Sequence, residues 1–556
     1  MAASLNRRGG PSFRVRARAL RERAVLERDL VSFRRRYGEV LRPKPGPAHG
    51  VALLASLSFS TFQVKLEGMI AKALQLQGLD VVAAVPRDGA LVRRYFELFG
   101  VERFVTLDEY APHDGDVDVA TLLEGVRSAE DLKRLRFRGA DVGRQVLSTL
   151  SRYRHEGSVD LADPSARELA EQLLPAAVRT TLATEALLDD VEPELVVFNE
   201  RNYADQGPVS DVALERGLNV IQFVSGFDDD TLVFKRYTAA TKGIHPRSLS
   251  DESWEIVREI EWTPERQAEL DAEFARRYDK DATFLARWNQ GWTREHSRDE
   301  LQRELGLEPS RPTVVVFSHV LWDANMFYGH DLFRDQEDWF VETVRAAAAN
   351  ERANWVVKLH PSNVWKLRRD GYEGELDEVR AIRNSIGELP PHVRLLLPDT
   401  EISTWSLFSV IDVGVTIRGS TGFELPCFGV PALTAGTGFY SGRGFTIDSE
   451  SRDDYLGRLA RIEETPRPTQ EQVELARKHA WGLFRARQTR FTSFRSVYQP
   501  VEHVDRPFEA TVEVFLRTAA ELAAADDLRL LGEWAVGSRA LDYLERNVVG
   551  VEAGQL

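Results

Sequence analysis

Two short runs hold most of the chemistry this sequence can offer. The first is Asp412-Val-Gly-Val-Thr-Ile-Arg418-Gly-Ser-Thr-Gly-Phe-Glu424-Leu-Pro-Cys-Phe-Gly-Val-Pro-Ala-Leu433. An apolar strand runs into a tight turn, and a short helix follows. Gly419, Ser420, Thr421 and Gly422 leave backbone N–H groups free at the helix start, where donors and the helix dipole attract phosphate. Arg418 adds positive charge. Glu424, one turn into the helix, is placed to accept from two vicinal sugar hydroxyls. The plainer alternative is a capped helix, with Ser420 as N-cap and Glu424 on the surface. The density of small residues, hydroxyls and charge in one run favours a phosphate site.

The second run is Trp355-Val-Val-Lys358-Leu-His360-Pro-Ser-Asn363. A β-rich strand delivers Lys358, His360, Ser362 and Asn363 to its carboxyl end. Pro361 biases His360 toward an extended backbone, which projects its ring at the strand edge. Imidazole can donate to a phosphate or serve as a general acid or base. Between Ser318 and Asn325, His319 and Asp323 sit at another predicted sheet edge, with a plain loop role as the alternative. In the first half, Glu200 follows a buried strand and Glu67 follows the turn from Phe59. Both are candidate general bases for an acceptor hydroxyl, or else salt-bridged surface groups. Asp228-Asp229-Asp230 could hold Mg²⁺ or Mn²⁺; a solvated turn is the simpler reading, and no metal site is assigned. His245-Pro246 repeats the His-Pro dipeptide in a polar connection.

The elements that must position these groups alternate along the chain. Strands are predicted at 50–56, 80–85, 103–106, 194–198 and 219–224, with helices at 63–77, 89–99 and 208–217. A charged helical bridge spans 251–310. A second alternating block has strands at 312–318, 354–359, 392–397, 410–415 and 430–434, and the chain reads as helical after about 465. This is the rhythm of an α/β protein with two Rossmann-like parallel sheets. Ligands of such sheets bind beyond the carboxyl ends of the strands. The expected units are a basic arm (1–45), a first Rossmann-like unit (46–250), the bridge (251–310), a second Rossmann-like unit (311–505) and C-terminal helices (506–556).

Composition narrows the class. With 556 residues, 43% hydrophobic and 29% charged, the chain can bury two cores. Its single cysteine, Cys427, excludes an internal disulfide and fits a reducing, cytosolic setting. The longest apolar runs are far shorter than the ~20 residues a membrane helix needs. Net charge is −15. Residues 1–45, however, carry thirteen basic and four acidic side chains, a local +9 that leaves −24 for the rest. An acidic body argues against nucleic acid as partner. The arm has apolar residues at helical spacing from Phe13 to Leu41. A basic amphipathic helix of this kind can lie on an anionic membrane surface or pack on protein. No Gly-x-Gly-x-x-Gly follows the first strand and no P-loop is present, which lowers dinucleotide oxidoreductases and P-loop enzymes.

The pair of runs, Lys-Leu-His-Pro-Ser-Asn and then Gly-Ser-Thr-Gly-Phe-Glu-Leu-Pro-Cys-Phe-Gly-Val-Pro about sixty residues later, resembles the capsule polysaccharide biosynthesis glycosyltransferases. These are GT-B enzymes that include the Kdo transferases. More distantly the pattern is similar to the CDP-glycerol glycerophosphotransferases and the non-hydrolysing UDP-GlcNAc 2-epimerases. The likeness is strongest over about 310–450. It implies a GT-B-like fold and a nucleotide-sugar donor bound by the second unit. His360, Lys358, Arg418, Gly419, Ser420, Thr421 and Gly422 would lie around the donor phosphate, and Glu424 on the ribose. The acceptor would be a glycan or lipid-linked glycan on the first unit, with the nucleotide sugar as substrate and no cofactor or metal. The protein would work in the cytoplasm, at the inner face of the membrane if the arm binds there, as a homo-oligomer or alone. The alternatives are a polyol-phosphate transferase on the same fold and an inactive GT-B scaffold.

Overall fold

The computed structural model describes residues 13–44, 46–58, 60–113, 119–323, 326–500, 508–545 and 548, with side chains from residue 23 onward except at 120, 499–500 and 508–509. Residues 1–12 of the basic arm, Phe59, Asn325 and most of the last ten positions lie outside the described residues.

Fifteen strands are described, in chain order: β1 (Gly50–Ala55), β2 (Leu79–Ala84), β3 (Arg103–Val105), β4 (Leu195–Phe198), β5 (Asn219–Ser225), β6 (Thr231–Tyr237), β7 (Thr313–Phe317), β8 (Asn354–Lys358), β9 (Val393–Leu396), β10 (Val413–Thr416), β11 (Ala432–Thr434), β12 (Ile447–Asp448), β13 (Thr489–Arg490), β14 (Phe494–Pro500) and β15 (Phe508–Val514). The first sheet has the order β13-β6-β5-β4-β1-β2-β3, and the second β12-β11-β10-β7-β8-β9. The second sheet is parallel throughout, as is the first from β5 to β3. The fold is therefore the α/β pair of Rossmann-type parallel sheets that the alternation predicts. Strands such as Thr-Val-Val-Val-Phe in β7 are buried along their whole length, as helices on both faces of a parallel sheet require. The stretch 251–310 holds four helices, Asp251–Glu259, Pro264–Tyr278, Phe284–Gln290 and Arg298–Glu304.

The structure corrects the reading at two places. Strand β6 lies antiparallel to β5, within a span the periodicity left unassigned. The segment after 465 is not helical to its end: β13 joins the first sheet against β6, and β14 and β15 form an antiparallel hairpin. The chain thus leaves the second unit before residue 505. It is fastened to the first by Asp542, buried between Lys235 at 2.5 Å and Arg487 at 3.3 Å. Helix Asp526–Gly537 then packs on helix Thr61–Leu76.

The arm follows one of its two expected alternatives, packing on protein. Its helix, Phe13–Leu41, does form. From Leu30 onward its apolar face is not available to a membrane, because Leu30, Phe33, Tyr37, Val40 and Leu41 are buried in the first unit's core. Lys65 reaches Asp29 at 2.7 Å and Arg94 reaches Glu27 at 2.6 Å. The arginines at 34–36 face outward. Among the described residues no helix is long and apolar enough to cross a membrane.

Candidate functional site

A cavity of about 720 Å³ opens between the two sheets, at the carboxyl ends of β4 and β5 on one side and β7, β8 and β10 on the other. Asn199, Glu200, Gln222 and His245 line it from the first unit. Arg277, Tyr278 and Asn289 line it from the helical bridge. His319, Lys358, His360, Arg418, Ser420 and Thr421 line it from the second unit. The cavity lies where two open α/β sheets should bind ligand.

His360 follows β8, and Pro361 turns its backbone into helix Ser362–Asp370. The backbone N–H of Ser362 donates to His360 Nδ1 at 3.1 Å. Nδ1 is therefore an acceptor, and in the neutral ring the proton sits on Nε2. Burial first, then the charges of Lys366 and Lys358, push the imidazole down to about 3, against an opposing pull from Asp323. His360 is thus a neutral donor. His319 lies with its ring centre 6.4 Å away and is likewise pushed to about 3 by burial and by His360. Its Nε2 is buried without a hydrogen bond among the described residues.

The turn after β10 is tightly held. Gly419 N–H donates to Thr416 Oγ1 at 3.0 Å, and the Tyr440 hydroxyl donates to Gly419 O at 2.8 Å. A Cβ on Gly422 would sit 2.0 Å from that same hydroxyl, so only glycine fits there. The N–H groups of Ser420 and Thr421 have no protein acceptor among the described residues, and Thr421 Oγ1 is buried without a partner. These two donors lie at the turn where the sequence expects a phosphate site.

The charged members of the predicted set are more committed than expected. Arg418 is tied to Asp331 and donates to the carbonyl of Phe327 at 3.1 Å and to that of Tyr328. Lys358 donates to the Ile402 carbonyl at 3.0 Å, and burial lowers it to about 8. Asp323 is clasped by Arg152 at 2.7 Å and by Lys366. Burial alone would raise its carboxyl, but the two cations outweigh burial and hold it below the usual range. Arg152 belongs to the first unit, so this cluster ties the two units together across the cleft. Glu424 is neither on the surface nor free. Arg277 donates to it from Nε at 2.9 Å, and the Tyr278 hydroxyl holds its other oxygen. Arg277 also reaches Ser420 Oγ at 3.1 Å. Glu424 lines the cavity and anchors the bridge helix beside the turn, so its carboxylate is already engaged by protein.

The two candidate bases separate. Glu200 lines the cavity; its Oε1 accepts from the N–H groups of Arg201 at 2.7 Å and Asn202 at 2.8 Å, while Oε2 has no partner among the described residues. Burial raises its carboxyl, opposed by those two N–H bonds. Glu67 does not reach the cavity. It is fully buried inside helix Thr61–Leu76, receiving the Ser56 hydroxyl and Gln63 Nε2 at 2.8 Å. Burial raises it to about 7, which makes it a packed, hydrogen-bonded core acid rather than a base for an acceptor. The aspartates at 228–230 are claimed by Arg276, Arg490 and the Phe284 N–H, so their charge is spent on the fold. Among the described residues no three His, Cys, Asp or Glu side chains gather as a metal site.

One cleft residue was underrated by sequence. The N–H of Arg247 donates to His245 Nδ1 at 3.1 Å, the same bond that Ser362 makes to His360. Each unit therefore presents one His-Pro turn to the cavity, with Nε2 as the remaining ring donor. The shared dipeptide was the available signal, but the facing of the two turns is tertiary. Arg277 and Tyr278 sit in a charged helix with no motif to mark them.

No family model matches the chain, and no curated protein matches it. Among solved structures, it is similar to the β-Kdo 2,4 transferase KpsC of Thermosulfurimonas dismutans at 17% identity and a TM-score of 0.31, over 51% of this chain and 79% of that one. It is similar to the UDP-GlcNAc 2-epimerase of Neisseria meningitidis bound to UDP-GlcNAc at 10% identity and a TM-score of 0.26, over 78% and 96%. The spinosyn rhamnosyltransferase SpnG matches at 11% identity and a TM-score of 0.25, over 78% and 96%. At such scores no activity follows from the likeness.

Proposed function

We propose that this protein is a glycosyltransferase that moves a sugar from a nucleotide-activated donor to a hydroxyl of a surface-type polysaccharide or lipid-linked glycan. The observation that carries the reading is the division of the cleft. On the second unit's side, His360 Nε2–H, the Ser420 and Thr421 N–H groups and the nearby Lys358, Arg277 and Arg418 gather donors and positive charge at strand ends. Across from them, Glu200 offers a carboxylate oxygen with no partner among the described residues, and burial raises its basicity.

The donor phosphate would rest on the 418–421 turn and under His360. As the sugar–phosphate C–O bond breaks, negative charge grows on the departing phosphate oxygen. Preorganised donors in the cavity stabilise that charge, the term that usually dominates. The acceptor oxygen forms the new bond to the anomeric carbon and gives its proton to Glu200 Oε2. The nucleotide leaves with the electron pair of the broken bond. His360, neutral and protonated on Nε2, serves as a donor in this scheme rather than as the base.

The test is thermal stabilisation by CMP, CDP, UDP, GDP and their sugar conjugates. Binding to the native state alone raises the melting point in proportion to ln(1 + [L]/Kd). At least one nucleotide is expected to raise it, and His360→Ala to remove that rise. A melting point unmoved by every nucleotide would overturn the reading.

A further inference from the structure

Outside the cleft, half-buried aromatic rings cluster instead of disappearing into a core. A pocket of about 510 Å³ shares Asn199, Ser225 and Leu285 with the main cavity. A second, of about 580 Å³, shares Phe284, Trp365 and Tyr498 with the first. Among the described residues they form one trough that runs from the first unit's side of the cleft, across the bridge, to helix Ser362–Asp370.

Flat rings dominate its far end, and two of the indole N–H groups there are already satisfied. Trp365 Nε1 donates to Asn289 Oδ1 at 3.1 Å, and Trp292 Nε1 donates to the Thr400 carbonyl at 3.1 Å. Phe284 and Tyr498 lie parallel, with ring centres 4.7 Å apart and planes 5° apart. Leu285 beside them is 41% exposed. Soluble proteins rarely leave such rings together at the surface without a ligand to cover them.

The composition discriminates between occupants. An acyl chain is best met by aliphatic walls, yet at the far end Val364 is the one aliphatic side chain among aromatics and charges. Arg287, Arg368, Asp399 and Glu401 rim that end, a mixture of donors and acceptors with no dominant sign. Flat apolar faces edged by mixed hydrogen-bonding groups fit pyranose rings. A sugar lays its C–H face on an aromatic ring while its equatorial hydroxyls reach the rim.

We propose that the trough binds the acceptor as a chain of several sugars, holding residues beyond the one that reacts in the cleft. The inference rests on the glycosyl-transfer reading and adds where the acceptor chain lies: beyond the reacting residue it occupies the trough formed by these two pockets. Trp365 and Trp292 are its stacking platforms, and Asn199 and Leu285 mark the passage into the cleft.

The experiment uses the full chain and calorimetric titration with chitohexaose, maltohexaose, cellohexaose and hexagalacturonate, with the matching disaccharides and sodium dodecanoate alongside. At least one hexasaccharide is expected to bind, at least tenfold more tightly than its disaccharide. Trp365→Ala and Trp292→Ala should each weaken it at least fivefold, with the circular-dichroism melting curve preserved. Failure of all four hexasaccharides overturns the inference, as does equal binding by the two variants. So does binding of dodecanoate that displaces the sugar and shows the same dependence on Trp365, since the trough would then hold a lipid. Nucleotide stabilisation, measured in parallel, keeps the two proposals apart: sugars binding without any nucleotide effect sinks the transfer reading alone, and the reverse sinks the trough alone.

Discussion

The backbone N–H of Ser362 points into Nδ1 of His360 at 3.1 Å. That bond assigns the ring's proton to Nε2, and burial keeps the ring neutral down to about pH 3. His360→Ala should therefore lower turnover at least tenfold while leaving the melting point within a few degrees. His360→Gln, which retains an N–H at similar reach, should recover part of the loss. Initial rates with the nucleotide sugar that stabilises the protein best decide this. Equal rates for wild type and the alanine variant would remove His360 from the site. Because the ring does not titrate near neutrality, neither limb of a pH–rate profile should carry an inflection from it.

The acid limb belongs to Glu200 instead. A general base works only when deprotonated, and burial raises this carboxyl above its ordinary 4.5. Turnover should fall as pH drops through that raised value. Glu200→Gln should cost about 10²–10⁴ in kcat, the range for removing a general base, and leave nucleotide stabilisation intact. A variant that keeps wild-type kcat would return the base to another residue.

Stability should weaken on mild acidification, in a way one residue can report. His479 is fully buried against the rings of Trp254, Phe423 and Phe445, and burial pushes it from 6.5 to about 3. The unfolded chain takes up a proton below 6.5 while the native state refuses it. The contribution is thus complete above pH 6.5 and declines as pH falls toward 3. Between pH 7 and 5.5 one such histidine accounts for about 1 kcal/mol. Urea unfolding at both pH values should show His479→Phe losing less stability than wild type by that amount.

The arm should prove to be core. Phe33 packs on Tyr37, Tyr95 and Phe99 with ring centres 4.9, 6.4 and 5.8 Å away. Phe33→Ala should destabilise the first unit by about 3–5 kcal/mol, the usual cost of emptying a buried phenylalanine site. Chemical denaturation measures it. A change below 1 kcal/mol would mean that the helix does not pack there in solution.

Gly422→Ala should be worse than its one added methyl suggests. The new Cβ would meet the Tyr440 hydroxyl, which is held by Gly419 O and cannot swing away. Overpacking of this kind costs about 1–3 kcal/mol, and the displaced turn should lose its nucleotide response in the same thermal-shift assay.

Much of this was legible along the chain because the signals are local. Runs such as Val314–Val316 and Val356–Val357 can only be buried strands, and the turns that end them carry their own Gly, Pro and hydroxyl marks. Two parallel sheets, and the placing of His360 and of the 418–422 turn at strand ends, follow from that. Strand β13 was missed because two residues at a sheet edge carry almost no pattern, and β6 because Lys235 and Arg236 interrupt its apolar run; both exist through pairing with partners elsewhere in the fold.

What each polar group does was decided by packing. Glu67 and Glu200 look alike in sequence, each following a strand, but the helix carrying Glu67 turns it inward to Ser56 while the loop carrying Glu200 opens on the cleft. Glu424 meets Arg277, 147 positions away, and His245 meets the same cavity as His360 from the other unit. A residue's type and spacing determine what it can donate or accept. Only the folded chain determines which partner reaches it first, because a buried charge or hydrogen-bonding group takes the nearest compensating group that the packing supplies.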